Sequence, residues 1–582
     1  MIKLIKKLNK KQMFMIIPVF IFIIIQVYLD LLLPDFMSDM TKALQENNES
    51  LREILIPGGK MLLCAIGSFI SAVTTGFFVS KIAASYSQNL RKEVFKSVMG
   101  FRKAEIKKFS VSSLLIRTTN DITNIQVFIA MGLQILIKVP ILSAAAITKI
   151  AGKSFTWTAI TGGAIFMLLI LVTVIITFVL PKTKTVQKLI DKVNTISREN
   201  ITGIRVIKAF NAEENRLNKF DEANSMLTDT NLYINRMMSL LNPTMMLVMS
   251  SLSVAIYLTG AYMISNSIGI KKLVLFGDMI VFSQYAVQVI MAFIMLVLII
   301  IIYPRASVSG KRVLEVLETK TSVLEGTKNN KEKNGTIEFK NVSFKYSDAE
   351  DYTIKDLSFK VEPKQTLAII GATASGKTSI VNLINRFYDV TSGEIIIDGQ
   401  NIKDYKEKEL NNKIGLVPQK AIIFGGTVRS NVTYGSLNTN EDDIYKALDI
   451  ASATEFVNKL ENKLDAPIAS RGTNISGGQK QRLSIARAIM KNPEIFIFDD
   501  SFSALDYKTD KNVRDALKKH LDKTTIIVAQ RIGTVINADQ ILVLEEGEMV
   551  GLGTHKELLK NCEVYKEIAR SQLSEKELNY EK

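Results

Sequence analysis

At 582 residues the chain is too long for one hydrophobic core, so two or more domains are expected. Two cysteines, Cys64 and Cys562, exclude a disulfide scaffold and a thiolate metal cluster. The formal net charge of +16 reads as lysine-rich loops beside a membrane rather than as a nucleic-acid surface, because apolar residues crowd into residues 13–303.

A hydrocarbon layer about 30 Å thick needs roughly 20 apolar helical residues at 1.5 Å each. Six segments qualify, at about 13–34, 57–82, 128–150, 157–181, 238–265 and 279–303. The apolar core of the first is too long for a cleavable signal. The opening MIKLIKKLNKK carries five lysines, whereas residues 35–56 carry five acids against two bases. The basic bias therefore puts both termini in the cytoplasm. The abundance of Lys, Asn and Ile points to an AT-rich bacterial genome, so the membrane expected is a bacterial plasma membrane. Residues 83–127 and 182–237 are inward loops of about 50 residues, long enough to project as paired helices. Within the third span Lys138 is costly in hydrocarbon, and it reads either as a substrate contact or as a lysine paired or snorkelling. The methionines around 237–249 and 291–295 suit an adaptable cavity and lipid-facing packing equally, so they identify no cargo.

Residues 318–335 are polar and read as a linker, dividing a membrane domain at 1–317 from a soluble α/β domain at 336–575. In the latter, QTLAIIG predicts a buried strand and GATASGKTSIVNLINRF a glycine-bearing loop followed by a helix. That is the phosphate-binding spacing, Gly371, Ala372, Thr373, Ala374, Ser375, Gly376, Lys377, Thr378, Ser379. Backbone N–H groups cradle phosphates, Lys377 supplies a cation, and the Thr378 hydroxyl suits Mg²⁺. Ala374 stands where glycine is common, and its methyl group would resist a positive φ. Downstream, IFIFD predicts a buried strand ending in Asp499, placed for Mg²⁺. Ser476, Gly477 and Gly478 form a turn opening a helix from Gln479, able to lay donors against phosphate oxygens.

GATASGKT, ISGGQ and IFIFDDSFSALD together resemble the ATP-binding cassette of ABC transporters, and six spans ahead of one cassette resemble the exporter type. The stretches 117–126 and 199–210 are similar to cytoplasmic-loop patterns of these exporters. The resemblance implies an α-helical membrane domain of six transmembrane helices fused to an α/β P-loop cassette, using ATP and Mg²⁺. It implies that Tyr346 stacks on adenine, that Gln419 touches the metal, and that the loop ending in Asp506 links two nucleotide sites. Each ATP would lie between one chain's phosphate loop and the other's signature turn, with loop residues 105–125 and 205–215 transmitting the motion.

Three positions depart from the pattern. Asp500 stands where the family has its catalytic glutamate, Gln530 where it has the switch histidine, and Ser470 where these exporters often carry a glutamate. The expectation is a degenerate, slowly hydrolysing site in this chain. A heterodimer partner would bring the glutamate and histidine, and the cargo would be amphipathic or apolar, drug-like compounds. The alternatives are a lipid or peptide exporter, or an ATP-gated regulatory membrane protein.

Overall fold

A lipid-embedded backbone must satisfy its own N–H and C=O groups, which long helices do internally. The apolar segments accordingly form helices that continue well past the bilayer-spanning length. The computed structural model describes residues 2–45, 51–151, 154–268, 270–330, 332, 334–436, 440–520 and 522–573. Residues 46–50 of the acidic stretch, 331 and 333 of the linker, and 574–575 at the cassette boundary lie outside the described residues. The chain divides into two compact units, one of residues 1–99 and 112–319, the other of 100–111 and 320–582.

In the first unit the long helices are α1 (Ile16–Gln45) and α2 (Leu51–Met99). A short helix, α3 (Lys103–Phe109), belongs to the second unit. The first unit resumes with α4 (Asn120–Ala151), α5 (Phe155–Thr202), α6 (Glu213–Ser239), α7 (Leu241–Ser265) and α8 (Ile270–Glu318). Among the described residues six stretches are long and apolar enough to cross a membrane, matching the expected spans in number and order. The main pairings set α1 on α2 and α4 on α8. Prolines sit inside these helices at 34, 57, 140, 181 and 304, as membrane helices tolerate where neighbours re-satisfy the freed carbonyls. The buried core runs through Val27, Val139, Phe282 and Tyr285, while Phe14, Phe69 and Phe77 remain exposed on the outer surface.

Lys138 is held within this bundle. Its Nζ lies 3.8 Å from Asp30 Oδ2 on α1, with its side chain 15% exposed. Of the two readings of Lys138, the structure supports the pairing, with Asp30.

The second unit is built on two main sheets, with a small two-stranded pairing of Gly426–Thr427 and Pro467–Ile468. β1 (Ile337–Phe344), β2 (Ile354–Val361) and β4 (Ser392–Ile397) form an antiparallel sheet with Gln400–Asn401 at its edge. The larger sheet contains β3 (Thr366–Gly371), β5 (Ile414–Val417), β6 (Ile495–Asp499), β7 (Thr524–Val528), β8 (Gln540–Glu545) and β9 (Glu548–Gly553), in the order β9-β8-β3-β7-β6-β5. All its pairs are parallel except β8 with β9. Parallel strands covered on both faces need unbroken apolar runs, and all five residues of IFIFD are buried. Burying its four apolar side chains contributes about 6–12 kcal/mol. The register sets Val528 opposite Ile369 on one side and Asp499 on the other. Open sheets of this kind bind ligands at the C-terminal ends of their strands, here β3, β7, β6 and β5.

Candidate nucleotide site

Each of those four strand ends carries residues singled out in the sequence. Leaving β3, residues 371–376 turn into α9 (Lys377–Ile384). Gly376 has φ 101°, and a Cβ there would stand 2.9 Å from the Thr353 carbonyl and 2.7 Å from Ile354 Cδ1, so only glycine fits. Ala374 at the exposed tip does adopt a positive φ, 69°. That conformation costs a residue with a Cβ about 1–2 kcal/mol.

Lys377 is nearly buried and its Nζ donates to the carbonyls of Gly371 at 2.8 Å and Ala372 at 2.6 Å. Burial pushes its ammonium below the ordinary lysine range, opposed by the charges of Asp500 and Asp499. The amine therefore lies across its own loop with a carboxylate pair nearby, able to swing to a phosphate oxygen. Thr378 Oγ1 donates to Asp499 Oδ1 at 3.4 Å, so the two oxygens converge as a hard divalent cation requires. Burial pushes the Asp499 carboxyl up, partly offset by the Thr378 hydrogen bond. Among the described residues no group of three His, Cys, Asp or Glu side chains stands together. This donor set fits Mg²⁺ completed by phosphate oxygens and water rather than a metal caged by protein alone.

Asp500 follows β6 with φ 47°, in the left-handed region. Its Oδ2 accepts from Gln419 Nε2 at 3.0 Å, beyond β5, and from Gln530 Nε2 at 3.1 Å, beyond β7. One carboxylate oxygen is thus shared by two carboxamides. Neither carboxamide can take up a proton at neutral pH.

Tyr346 packs edge-on against Tyr388 and Phe344, and its hydroxyl lies 2.9 Å from Ser379 Oγ. The signature helix α10 (Gly477–Met490) begins two residues earlier than the expected Gln479. Ser476 is its N-cap and Gln479 its N3 residue, joined in a reciprocal capping box in which Gln479 Oε1 accepts from the Ser476 N–H at 2.8 Å. Among the described residues no hydrogen bond ties this turn to the phosphate loop. Asp506 Oδ1 accepts from the Thr509 N–H at 2.9 Å, starting α11 (Tyr507–His520). Ser470 is exposed and opens a short 3-10 turn, Ser470–Gly472, whose Gly472 is buried. The two histidines stand elsewhere, His520 at the end of α11 and His555 against the Tyr565 hydroxyl at 2.7 Å.

The contacts of three residues had no signature in the sequence. Gln572 on α12 (Glu563–Gln572) brackets the Gln530 loop, donating to the Gln530 carbonyl and accepting from the Ile532 N–H, both at 2.8 Å. On α3, Lys103 donates to Asn382 of α9 at 3.0 Å, and Lys107 pairs with Asp348 at 2.6 Å with its amine 5.8 Å from the Tyr346 ring centre. These are long-range partners of polar residues, which no local pattern announces.

Residues 354–503 match the ABC transporter family, and residues 15–293 match the ABC transporter transmembrane region. An uncharacterized ABC transporter ATP-binding protein of Bacillus subtilis, YfiB, is 35% identical over 531 residues, covering 90% of each chain. An ATP-dependent lipid A-core flippase of Albidiferax ferrireducens is 31% identical over 523 residues, covering 89% of each. A solved bacterial Atm1-family ABC exporter with ATP bound shares the fold, with a TM-score of 0.80 at 22% identity, over 97% of this chain and 100% of that one. The chain therefore belongs to the ABC transporters, as an exporter-type half-transporter with fused membrane and ATP-binding domains.

Proposed function

We propose that this chain is one half of a heterodimeric exporter of amphipathic or apolar compounds, in the plasma membrane of a bacterium with both termini cytoplasmic. Its own ATP site hydrolyses slowly, and its signature turn, Ser476 to Gln479, completes a competent site on a partner that supplies the glutamate and histidine. The domain limits follow as 1–317, a linker to 335, and a cassette at 336–575. The observation that carries the reading is Asp500: one methylene shorter than glutamate, it is held by Gln419 and Gln530 through a single oxygen. A general base must reach its water, and its relay must accept a proton; a carboxamide cannot.

At this chain's site the phosphate loop from Gly371 to Ser379 binds the nucleotide, Lys377 neutralises the β- and γ-phosphates, and Tyr346 faces the base. Thr378, Gln419 and Asp499 are the residues that would hold Mg²⁺, which when bound neutralises charge on the phosphates. Gln530 can donate to a γ-phosphate, and the Asp506 loop links this site to the partner's. ATP binding closes the two cassettes, and hydrolysis at the partner's site resets them.

A lipid cargo is the second reading, supported by the flippase among the relatives. Inverted membrane vesicles test the transport claim. ATP-dependent accumulation of an amphipathic dye against its gradient, lost on Lys377→Ala, is expected. A flux that ATP gates but that runs only downhill would make the assembly a channel.

A further inference from the structure

The carboxamide that holds Asp500 from beyond β7 is itself held. Gln530 stands two residues past β7 and two before the helical turn Ile532–Val535. The N-cap residue of that turn, Arg531, makes no side-chain cap, so the first N–H of the turn, that of Ile532, needs an acceptor from elsewhere. Gln572 supplies it. Its Oε1 accepts from the Ile532 N–H and its Nε2 donates to the Gln530 carbonyl, each at 2.8 Å. One side chain thus spans residues 530–532 with two bonds of opposite sense, which a carboxamide can make and a carboxylate or an ammonium cannot.

Gln572 takes its place from α12. Tyr565, Ala569 and Gln572 recur at i, i+4 and i+7, on one face of that helix. Tyr565 and Ala569 are fully buried in the core that also holds Ile532 and Val535, and they seat the exposed Gln572 over the loop. Two other side chains fix the surroundings independently. Arg514 on α11 donates from Nη1 to the Gly533 carbonyl at 3.1 Å, while its Nε and Nη2 hold the Asp510 carboxylate at 2.9 and 3.2 Å. Gln481 on α10 donates to the Pro418 carbonyl at 3.3 Å, next to Gln419. Removing the Gln572 carboxamide therefore loosens residues 530–532 and leaves Gln419, the second donor to Asp500, where it is. The consequence falls on Asp500 Oδ2. A carboxylate offers about four acceptor positions, two on each oxygen, and both on Oδ2 are taken by Gln419 and Gln530. A water that is to give its proton to that oxygen must displace a carboxamide. With its main chain pinned, Gln530 returns to Oδ2 whenever its side chain rotates away; unpinned, it returns less often.

We propose that Gln572 is a positioning residue that keeps Gln530 on Asp500 and so restrains hydrolysis at this chain's own ATP site. The inference rests on the reading of that site as slow, and it names one device, outside the nucleotide-binding motifs, that keeps it so.

The test is single-turnover ATP hydrolysis by the purified assembly carrying Gln572→Met, which keeps the length of the side chain and removes both bonds. The slow phase is expected to quicken about two- to fivefold, the loss of one exposed hydrogen bond to Asp500, while the fast phase is unchanged. Loosened packing of α12 would slow hydrolysis or leave it alone, so an increase marks the restraint itself. Gln530→Ala should quicken the slow phase by a similar factor, and adding Gln572→Met to it should change nothing further, because the two act through one contact. A slow phase that Gln572→Met leaves unaltered or slows overturns the proposal, as does a further increase in the double variant. If the wild type shows a single phase, the asymmetric reading fails and that phase decides the proposal. Quickening by Gln572→Met alone, and none on top of Gln530→Ala, upholds it; no change overturns it.

Discussion

Replacing Asp500 with glutamate and Gln530 with histidine in the same chain should convert a slow ATP site into a fast one. The added methylene advances the carboxylate by roughly one carbon–carbon bond, about 1.5 Å. A misplacement of about 1 Å costs roughly a hundredfold in rate, equivalent to about 2.7 kcal/mol at 1.36 kcal/mol per factor of ten. Removing the Gln530 carboxamide also frees the carboxylate at position 500 from one of the two donors that Asp500 has, the other being Gln419. A hydrogen bond to a charged acceptor contributes about 1.5–3 kcal/mol when buried and less in so exposed a position, so release of this clamp is the smaller effect. The assay is single-turnover hydrolysis of labelled ATP by the purified assembly. In the wild type half of the bound ATP should disappear about a hundredfold more slowly than the rest. In the double variant the slow half should merge with the fast one. If the slow half persists unchanged, Asp500 and Gln530 do not limit hydrolysis. If the wild type has one fast phase, its site is not degenerate at all.

Other substitutions probe the parts of the site separately. Ala374→Gly relieves a left-handed alanine and should stabilise the folded cassette by about 1 kcal/mol, as read by its denaturant unfolding midpoint. Ser476→Ala removes the cap of α10 and should cost that helix start about 1 kcal/mol, while slowing the partner's fast hydrolysis phase rather than this chain's slow one. Glu105 accepts from the N–H groups of Arg102 and Ser322, and although its burial raises its carboxyl, those bonds outweigh it and hold the carboxyl below the usual range. A depressed carboxyl stabilises α3 above an unfolded pKa of about 4.3 and loses that contribution as pH falls through the folded value. Hydrogen exchange should therefore show the Ser322 amide losing protection in acid, and Glu105→Gln should abolish that pH dependence.

The architecture was legible because its determinants are local. Uncharged runs of about 20 residues name membrane helices, and IFIFD between polar flanks names a strand buried on both faces. The turn between β3 and α9 was legible down to Ala374, whose positive φ follows from the geometry that glycine usually serves there. The start of α10 was misplaced by two residues because Gly477 and Gly478 lower helix propensity, yet the capping box between Ser476 and Gln479 holds the first turn. Partners far apart in the chain were not legible. Nothing near Gln530 in sequence announces Gln572, and nothing near Lys138 announces Asp30, since those pairings depend on which helices and loops pack together.

The central claim is that this chain works beside a different one. Gentle extraction of the C-terminally tagged chain from its native membrane, with the mass and sequence of whatever accompanies it, tests that directly. A second six-span cassette protein in equal amount, carrying glutamate and histidine where this chain has Asp500 and Gln530, is the predicted result. Recovery of this chain alone, as a dimer that hydrolyses ATP briskly, would contradict it.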